Sequence, residues 1–266
     1  MTIKIKYLAM ARFIAPLLIF NFLLLFAIDI RVYAIPSGAN YSFVNSSTAS
    51  PAPPQSIDAY AGNVSEMNIF GYSTTQSWQG FYGNVSGVIQ LGDSASHVMY
   101  NWSDLSPKGE VYASVNNSVN WANVQCFNYT ANGTYCDDDI NRAGGTSRCG
   151  MNLSQLQTNY NISSDDSDAV NNTFTLNNHE LFYTGNLKFD SGQCKNMKVY
   201  NSTGAGTYDE ALLYEPTGRS VIFTSILQRN ADGFDSKTPD FEMLVLENGH
   251  YGDVSTTPYY FYLELQ

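Results

Sequence analysis

From Trp78 to the end of the chain, apolar residues recur in short extended runs separated by Gly, Pro, Asn, Asp and Ser, and nothing matches a long amphipathic helix. Glu110-Val-Tyr-Ala-Ser-Val, Ala211-Leu-Leu-Tyr-Glu, Ser220-Val-Ile-Phe-Thr-Ser-Ile-Leu, Asp240-Phe-Glu-Met-Leu-Val-Leu and Tyr259-Tyr-Phe-Tyr-Leu-Glu-Leu are all strand-length. Pro216-Thr-Gly-Arg219 separates two of them as a hairpin turn, in which Pro and Gly supply preset φ values. In the last run Tyr259, Phe261, Leu263 and Leu265 share one face. Antiparallel sheets packed as a sandwich are therefore expected: an all-β fold, Ig-like or jelly-roll-like in plan.

The stretch from Ala61 to Trp102 is expected to form its structural centre. Along Trp78-Gln-Gly-Phe-Tyr-Gly-Asn-Val-Ser-Gly-Val-Ile-Gln-Leu, the residues Phe81, Val85, Ile89 and Leu91 fall on one side of an extended chain. Trp78, Tyr82 and Val88 fall on the other. The residues Gly-Asp-Ser-Ala-Ser before His97 make a turn, so two strands meet as a hairpin. Gly80, Gly83 and Gly87 suit a bent or bulged strand. Asn120 to Phe127 reads either as a strand or as one helical turn, and residues 128–172 form a long irregular loop region inserted in the sandwich.

Lys4, Lys6 and Arg12 precede an apolar run from Phe13 to Ile28, and Val32 and Ala34 occupy the −3 and −1 positions of a signal-peptidase site. Residues 1–34 are read as a secretory signal peptide, with an uncleaved membrane anchor as the alternative. Either places the remainder outside the cytoplasm, with the membrane a partner only through an uncleaved N-terminal segment. Residues 35–58, rich in Ser, Asn and Pro, form a spacer, and residues 59–266 the β-sandwich domain, with two packed sub-domains as the alternative. The formal net charge is −11; loss of four cations (Lys4, Lys6, Arg12, Arg31) and one anion (Asp29) with the leader takes it to −14. So acidic a surface repels phosphate and excludes nucleic acid as a partner.

Asn-X-Ser/Thr occurs twelve times, at Asn40, Asn45, Asn63, Asn84, Asn101, Asn116, Asn128, Asn132, Asn152, Asn161, Asn171 and Asn201. Chance supplies roughly five, and glycans require these positions to face solvent. None falls after Asn201, so the C-terminal strands are either more buried or an unglycosylated contact face. Four cysteines in an exported chain predict two disulfides. Of three pairings, Cys136–Cys149 nested inside Cys126–Cys194 is favoured, because the acidic loop from Asp137 to Arg148 has little to bury and gains most from a local staple.

Three phrases, Ala61-Gly-Asn-Val-Ser-Glu-Met-Asn-Ile, Trp78-Gln-Gly-Phe-Tyr-Gly-Asn-Val-Ser-Gly and Tyr259-Tyr-Phe-Tyr-Leu-Glu-Leu, together resemble a group of secreted proteins of uncultured small-genome (DPANN) archaea. The resemblance spans residues 61–266. It implies an archaeal cell-surface setting and N-glycosylation and offers no catalytic residue.

The chemistry-bearing residues point away from catalysis. His97, His179 and His250 lie in no His-Glu-x-x-His, and no Gly-x-Ser-x-Gly occurs. No cofactor is expected. The acidic clusters Asp137, Asp138, Asp139 and Asp165, Asp166, Asp168 lack the spacing of an EF-hand, so solvated loops are the favoured reading and a calcium site the alternative. The expectation is a non-enzymatic, extracellular surface glycoprotein, structural or adhesive, whose partners are itself, other surface proteins, a host-cell surface or glycans. The alternatives are a carbohydrate-binding module, using Trp78, Trp102, Trp121 and the Tyr-rich last strand, and, less favoured, an extracellular hydrolase built on two carboxylates.

Overall fold

The computed structural model describes residues 35–104, 108–129, 135–137, 148–248 and 256–266. The leader, Asn132 and His250 lie outside the described residues, as do Asp138 and Asp139. The fold is all-β, a sandwich-like packing of antiparallel sheets.

The first strands in chain order are β1 (Ser37–Gly38), β2 (Trp78–Gly83), β3 (Gly87–Gly92), β4 (Val98–Asp104) and β5 (Gly109–Ser114). A 3-10 turn at Trp121–Asn123 leads into β6 (Gln125–Cys126), so the ambiguous segment contains both a turn and a strand. Then come β7 (Tyr135–Asp137), β8 (Arg148–Gly150) and two short helices, α1 (Leu153–Asn159) and α2 (Val170–Thr173). The chain finishes with β9 (Phe182–Thr184), β10 (Leu187–Phe189), β11 (Asn196–Tyr200), β12 (Gly206–Glu215), β13 (Ser220–Ile226), β14 (Phe241–Leu246) and β15 (Tyr260–Leu265).

The central sheet runs β1-β15-β5-β13-β12-β11, and β6 joins β12 beyond the end of β11. Both of its faces are covered. One face presents Val111, Ala113, Leu212, Tyr214 and Phe223 to the β2–β14 ribbon and to α1 and α2. The other presents Tyr112, Ala211, Leu213 and Ile222 to the β9–β10 hairpin and the 3-10 turn. A strand covered on both sides has no solvent face to spend on polar residues, which is why Ala211-Leu-Leu-Tyr reads as an unbroken apolar run. Burial of this set supplies the main driving force, at roughly 25 cal/mol per Å² of apolar surface. The C-terminal strands are thus the more buried part of the chain, the first of the two readings for their lack of sequons.

The β12–β13 hairpin forms where expected, but its turn works differently. The positive φ, 52°, falls on Arg219 rather than on Gly218. The Glu215 carboxylate accepts from the backbone N–H groups of Thr217 and Gly218, each at 2.6 Å, and a Cβ at Gly218 would sit 2.5 Å from Asn116 Nδ2. Glycine is there for close approach. Gly109 is a stricter case: its φ is +130°, and a Cβ would lie 2.0 Å from the Glu264 carbonyl oxygen.

Two expectations about residues 61–102 are corrected. The long alternating run is not one strand. It breaks at residues 84–86, β2 pairs with β14 and β3 pairs with β4. Trp78 and Phe81, assigned to opposite sides, pack against the same core cluster. Nor is the segment a structural centre. The β3–β4 hairpin turns at Asp93–His97 as read, yet Leu91, Met99, Tyr100 and Trp102 are 52%, 81%, 59% and 51% exposed. Residues 39–76 are almost wholly exposed, although β1 inside the expected spacer is pinned to β15, with Ser37 opposite Leu263. The irregular region is also less irregular than expected. Asn152 caps α1 through a reciprocal capping box with Gln155, and Leu153 and Leu156 enter the core.

Candidate functional site

Three groups of residues outside the simple apolar core carry the chemistry of this fold: buried carboxyls, the disulfide region, and an exposed surface with sequons and aromatic rings.

Glu110 on β5 stands directly opposite Glu264 on β15, and both are buried, at 3% and 2% exposure. Tyr112 Oη donates to Glu264 Oε2 at 3.1 Å, the Gly185 N–H donates to the same carboxyl at 3.0 Å, and Gln266 Nε2 donates to Glu110 Oε2 at 3.2 Å. Burial first, and the neighbouring Glu264 second, push the Glu110 pKa up to about 9. Burial likewise raises Glu264. Glu210 on β12 accepts from the Leu244 N–H at 2.7 Å, and Glu242 on β14 accepts from the Phe234 N–H at 2.9 Å. Their second carboxyl oxygens have no hydrogen-bond partner, which suits a protonated acid, and burial raises both pKa values. Asp209 is the exception in having a cationic partner. Cross-strand Lys198 reaches it at 2.8 Å and Asn196 Nδ2 donates to it at 2.8 Å.

Cys126 and Cys194 form a disulfide that ties β6 to the loop before β11. Beside it, the Cys194 N–H donates to His179 Nε2 at 3.0 Å, while His179 Nδ1 lies 2.6 Å from the Glu180 carbonyl. Nε2 must therefore accept and Nδ1 carry the proton, so this fully buried imidazole is neutral and structural. In the β7–β8 ladder Cys136 and Cys149 occupy directly opposed backbone positions.

Asn40, Asn45, Asn63, Asn84, Asn101 and Asn161 are exposed. Asn116, Asn128, Asn171 and Asn201 are half-buried. Asn152 differs: its Oδ1 accepts from the Gln155 N–H at 2.9 Å as an N-cap, and at 6% exposure a glycan on its Nδ2 would have to displace packed neighbours.

The aromatic residues divide in the same way. Trp78 belongs to the core, and Trp121 is half-buried between Tyr112 and Tyr262. Trp102 is the exposed tryptophan, 4.9 Å from Tyr100 at an interplanar angle of 63°. Exposed Tyr82 and Phe234 pair at 4.9 Å and 88°. Neither pair is coplanar. A cleft of about 410 Å³ includes Tyr160, Arg219, Glu247 and Tyr259 in its lining. Three of these groups are engaged within the fold: Tyr259 donates to the Leu246 carbonyl and so accepts from Tyr160 at 3.1 Å, and Glu247 accepts from Thr257 N–H and Oγ1.

His97 is exposed and lies 2.8 Å from Asp93 in the β3–β4 turn. Of the acidic cluster near 165, Asp166 accepts from the Ser163 N–H at 2.7 Å and serves the local turn, whereas Asp168 accepts from Thr75 Oγ1 and ties that turn to the segment before β2. Among the described residues no group of three His, Cys, Asp or Glu side chains is placed to hold a metal ion. Sequence reasoning missed the buried glutamates. Asp209-Glu210 leading straight into an apolar run was the available signal. No protein-family model, curated protein or solved structure matches this chain.

Proposed function

We propose that this chain is a non-enzymatic cell-surface glycoprotein with a structural or adhesive role, exported by its N-terminal segment and set in the archaeal envelope that its sequence phrases suggest. The observation that carries this reading is the exposed placement of Asn40, Asn45, Asn63, Asn84, Asn101 and Asn161, each within a sequon. The sealed interior supports it too. The paired acids Glu110 and Glu264 are shut between layers, where no glycosidic bond can reach them. Carbohydrate binding is less well supported, because the exposed ring pairs meet edge to face and make no flat platform. Glycopeptide mapping of protein from the native envelope tests the proposal. Glycans are expected at several of the six exposed asparagines and none at Asn152. A mature chain that carries no glycan at any sequon overturns it.

A further inference from the structure

About half of the exposed large apolar side chains among the described residues lie on two elements, the extended arm at residues 64–72 and the β3–β4 ribbon. In the arm Val64, Ile69 and Phe70 are 101%, 87% and 93% exposed. Among the described residues no backbone hydrogen bond holds this stretch, so its N–H and C=O groups face outward unpaired. The ribbon has two faces, fixed by register. Ile89 stands opposite Trp102 and Leu91 opposite Tyr100, which puts all four on one face, and Asn101 with its partner Gln90 lies on the other. The apolar face is thus the one turned away from the Asn101 sequon. β3 is backed at one end, where a Gly87 Cβ would lie 2.5 Å from Leu265, so the outer edge of β4 is the freer one.

We infer that residues 64–72 of one copy add as a strand along the open edge of β4 in a second copy, so that its apolar side chains extend the face made by Ile89, Leu91, Tyr100 and Trp102. Each element supplies what the other lacks: an extended segment with unpaired backbone, and a sheet edge flanked by an uncovered apolar face. Both belong to this chain, so the contact is heterologous and repeats from copy to copy. Glu66 is the single charged residue in residues 64–72, 87–92 and 98–103 taken together, so the contact brings together little of the molecule's negative charge. A strand turns alternate side chains to one face, so Val64, Phe70 and Tyr72 fall together beside Tyr100 and Trp102, and the pairing removes on the order of several hundred Å² from water, the size of a weak, concentration-dependent contact.

The inference deepens the structural reading of the surface glycoprotein, and it is tested independently of where the protein resides. Sedimentation velocity is run on the full chain, on an arm variant (Ile69→Asp with Phe70→Asp) and on a ribbon variant (Tyr100→Asp with Trp102→Asp). The altered side chains are exposed, so thermal unfolding of both variants should match the wild type. Wild type is expected to form a concentration-dependent series of oligomers, and each variant alone to lose it and sediment as a monomer. Mixing the two variants should restore a one-to-one dimer and nothing longer, because one intact arm meets one intact ribbon. A monomeric wild type overturns the inference, as do variants that assemble like wild type. Wild type that stays monomeric while co-sedimenting with phospholipid vesicles overturns it in favour of a membrane partner. Absence of glycans from the native protein would sink the glycoprotein reading without touching this result.

Discussion

Replacing Glu110 with Gln is expected to flatten the dependence of stability on pH. Glu110 is 3% exposed, faces Glu264 across the β5–β15 ladder and lies beside Tyr112, Gln266 and the Tyr183 backbone. In the unfolded chain it ionises near 4.5; in the fold its pKa is pushed up to about 9, by burial first and Glu264 second. Between those values the folded state holds a proton that the unfolded state has released. The stabilisation is therefore complete below about pH 4.5 and is lost as pH rises towards about 9. At about 1.4 kcal/mol per pH unit, the loss between pH 4.5 and 7 is about 3 kcal/mol, or roughly 6–12 °C in melting temperature for a domain of this size. Melting curves by circular dichroism from pH 4 to 8 read this directly. The Gln variant keeps the shape and the hydrogen bond from Gln266 but has no proton to lose, so its slope should fall by about one proton. Some slope persists, because burial raises Glu210, Glu242 and Glu264 as well. Parallel melting profiles for the two proteins, or a wild type that grows more stable from pH 4.5 to 7, would refute the reasoning.

Other outcomes follow from the same geometry. Removing the Cys126–Cys194 bridge with paired Ser substitutions should cost about 2–5 kcal/mol, measured by urea unfolding, since it closes a long loop. Cys136 and Cys149, opposed in the β7–β8 ladder, are expected to be oxidised to each other, so thiol titration of the unreduced, unfolded protein should find no free thiol. Asn152→Ala should lower stability by about 1 kcal/mol through loss of the α1 cap, with the glycan content unchanged. Gly109→Ala should cost more than the cap, because its Cβ meets a strand backbone at 2.0 Å and its φ of +130° suits glycine alone; melting temperature checks the order.

The sequence made the strands legible and the layers much less so. The β12–β13 hairpin and β15 were readable because apolar period and turn chemistry are local signals. The β3–β4 hairpin was readable for the same reason, yet its exposure was not. Alternation tells which residues share a face, not whether another element covers that face. Glu110 and Glu264 show the converse. Alternating with apolar neighbours, they look like solvent-facing positions until β9 and β10, some seventy residues further on than β5, close over them. Helix α1 left a short signal, Asn152-Leu-Ser-Gln155, that fits a capping box as well as it fits a sequon. Burial separates the two meanings, and burial there comes from packing against the distant core. The exposure of residues 39–58 needed no such knowledge, because Ser-, Asn- and Pro-rich composition already kept them out of a core, whereas the exposed arm at residues 64–72 was expected within the structural centre.

The central claim is that this is a secreted, glycosylated building or contact protein of a cell surface. Electron microscopy of the native envelope, with intact mass of the protein extracted from it, tests that most directly. The account predicts a chain shortened by its leader or anchored by it, heavier than its sequence by several glycans, and present in a lattice, a fibre or a cell-contact structure. An unmodified chain of full sequence mass, recovered from the cell interior and absent from the envelope, would contradict it.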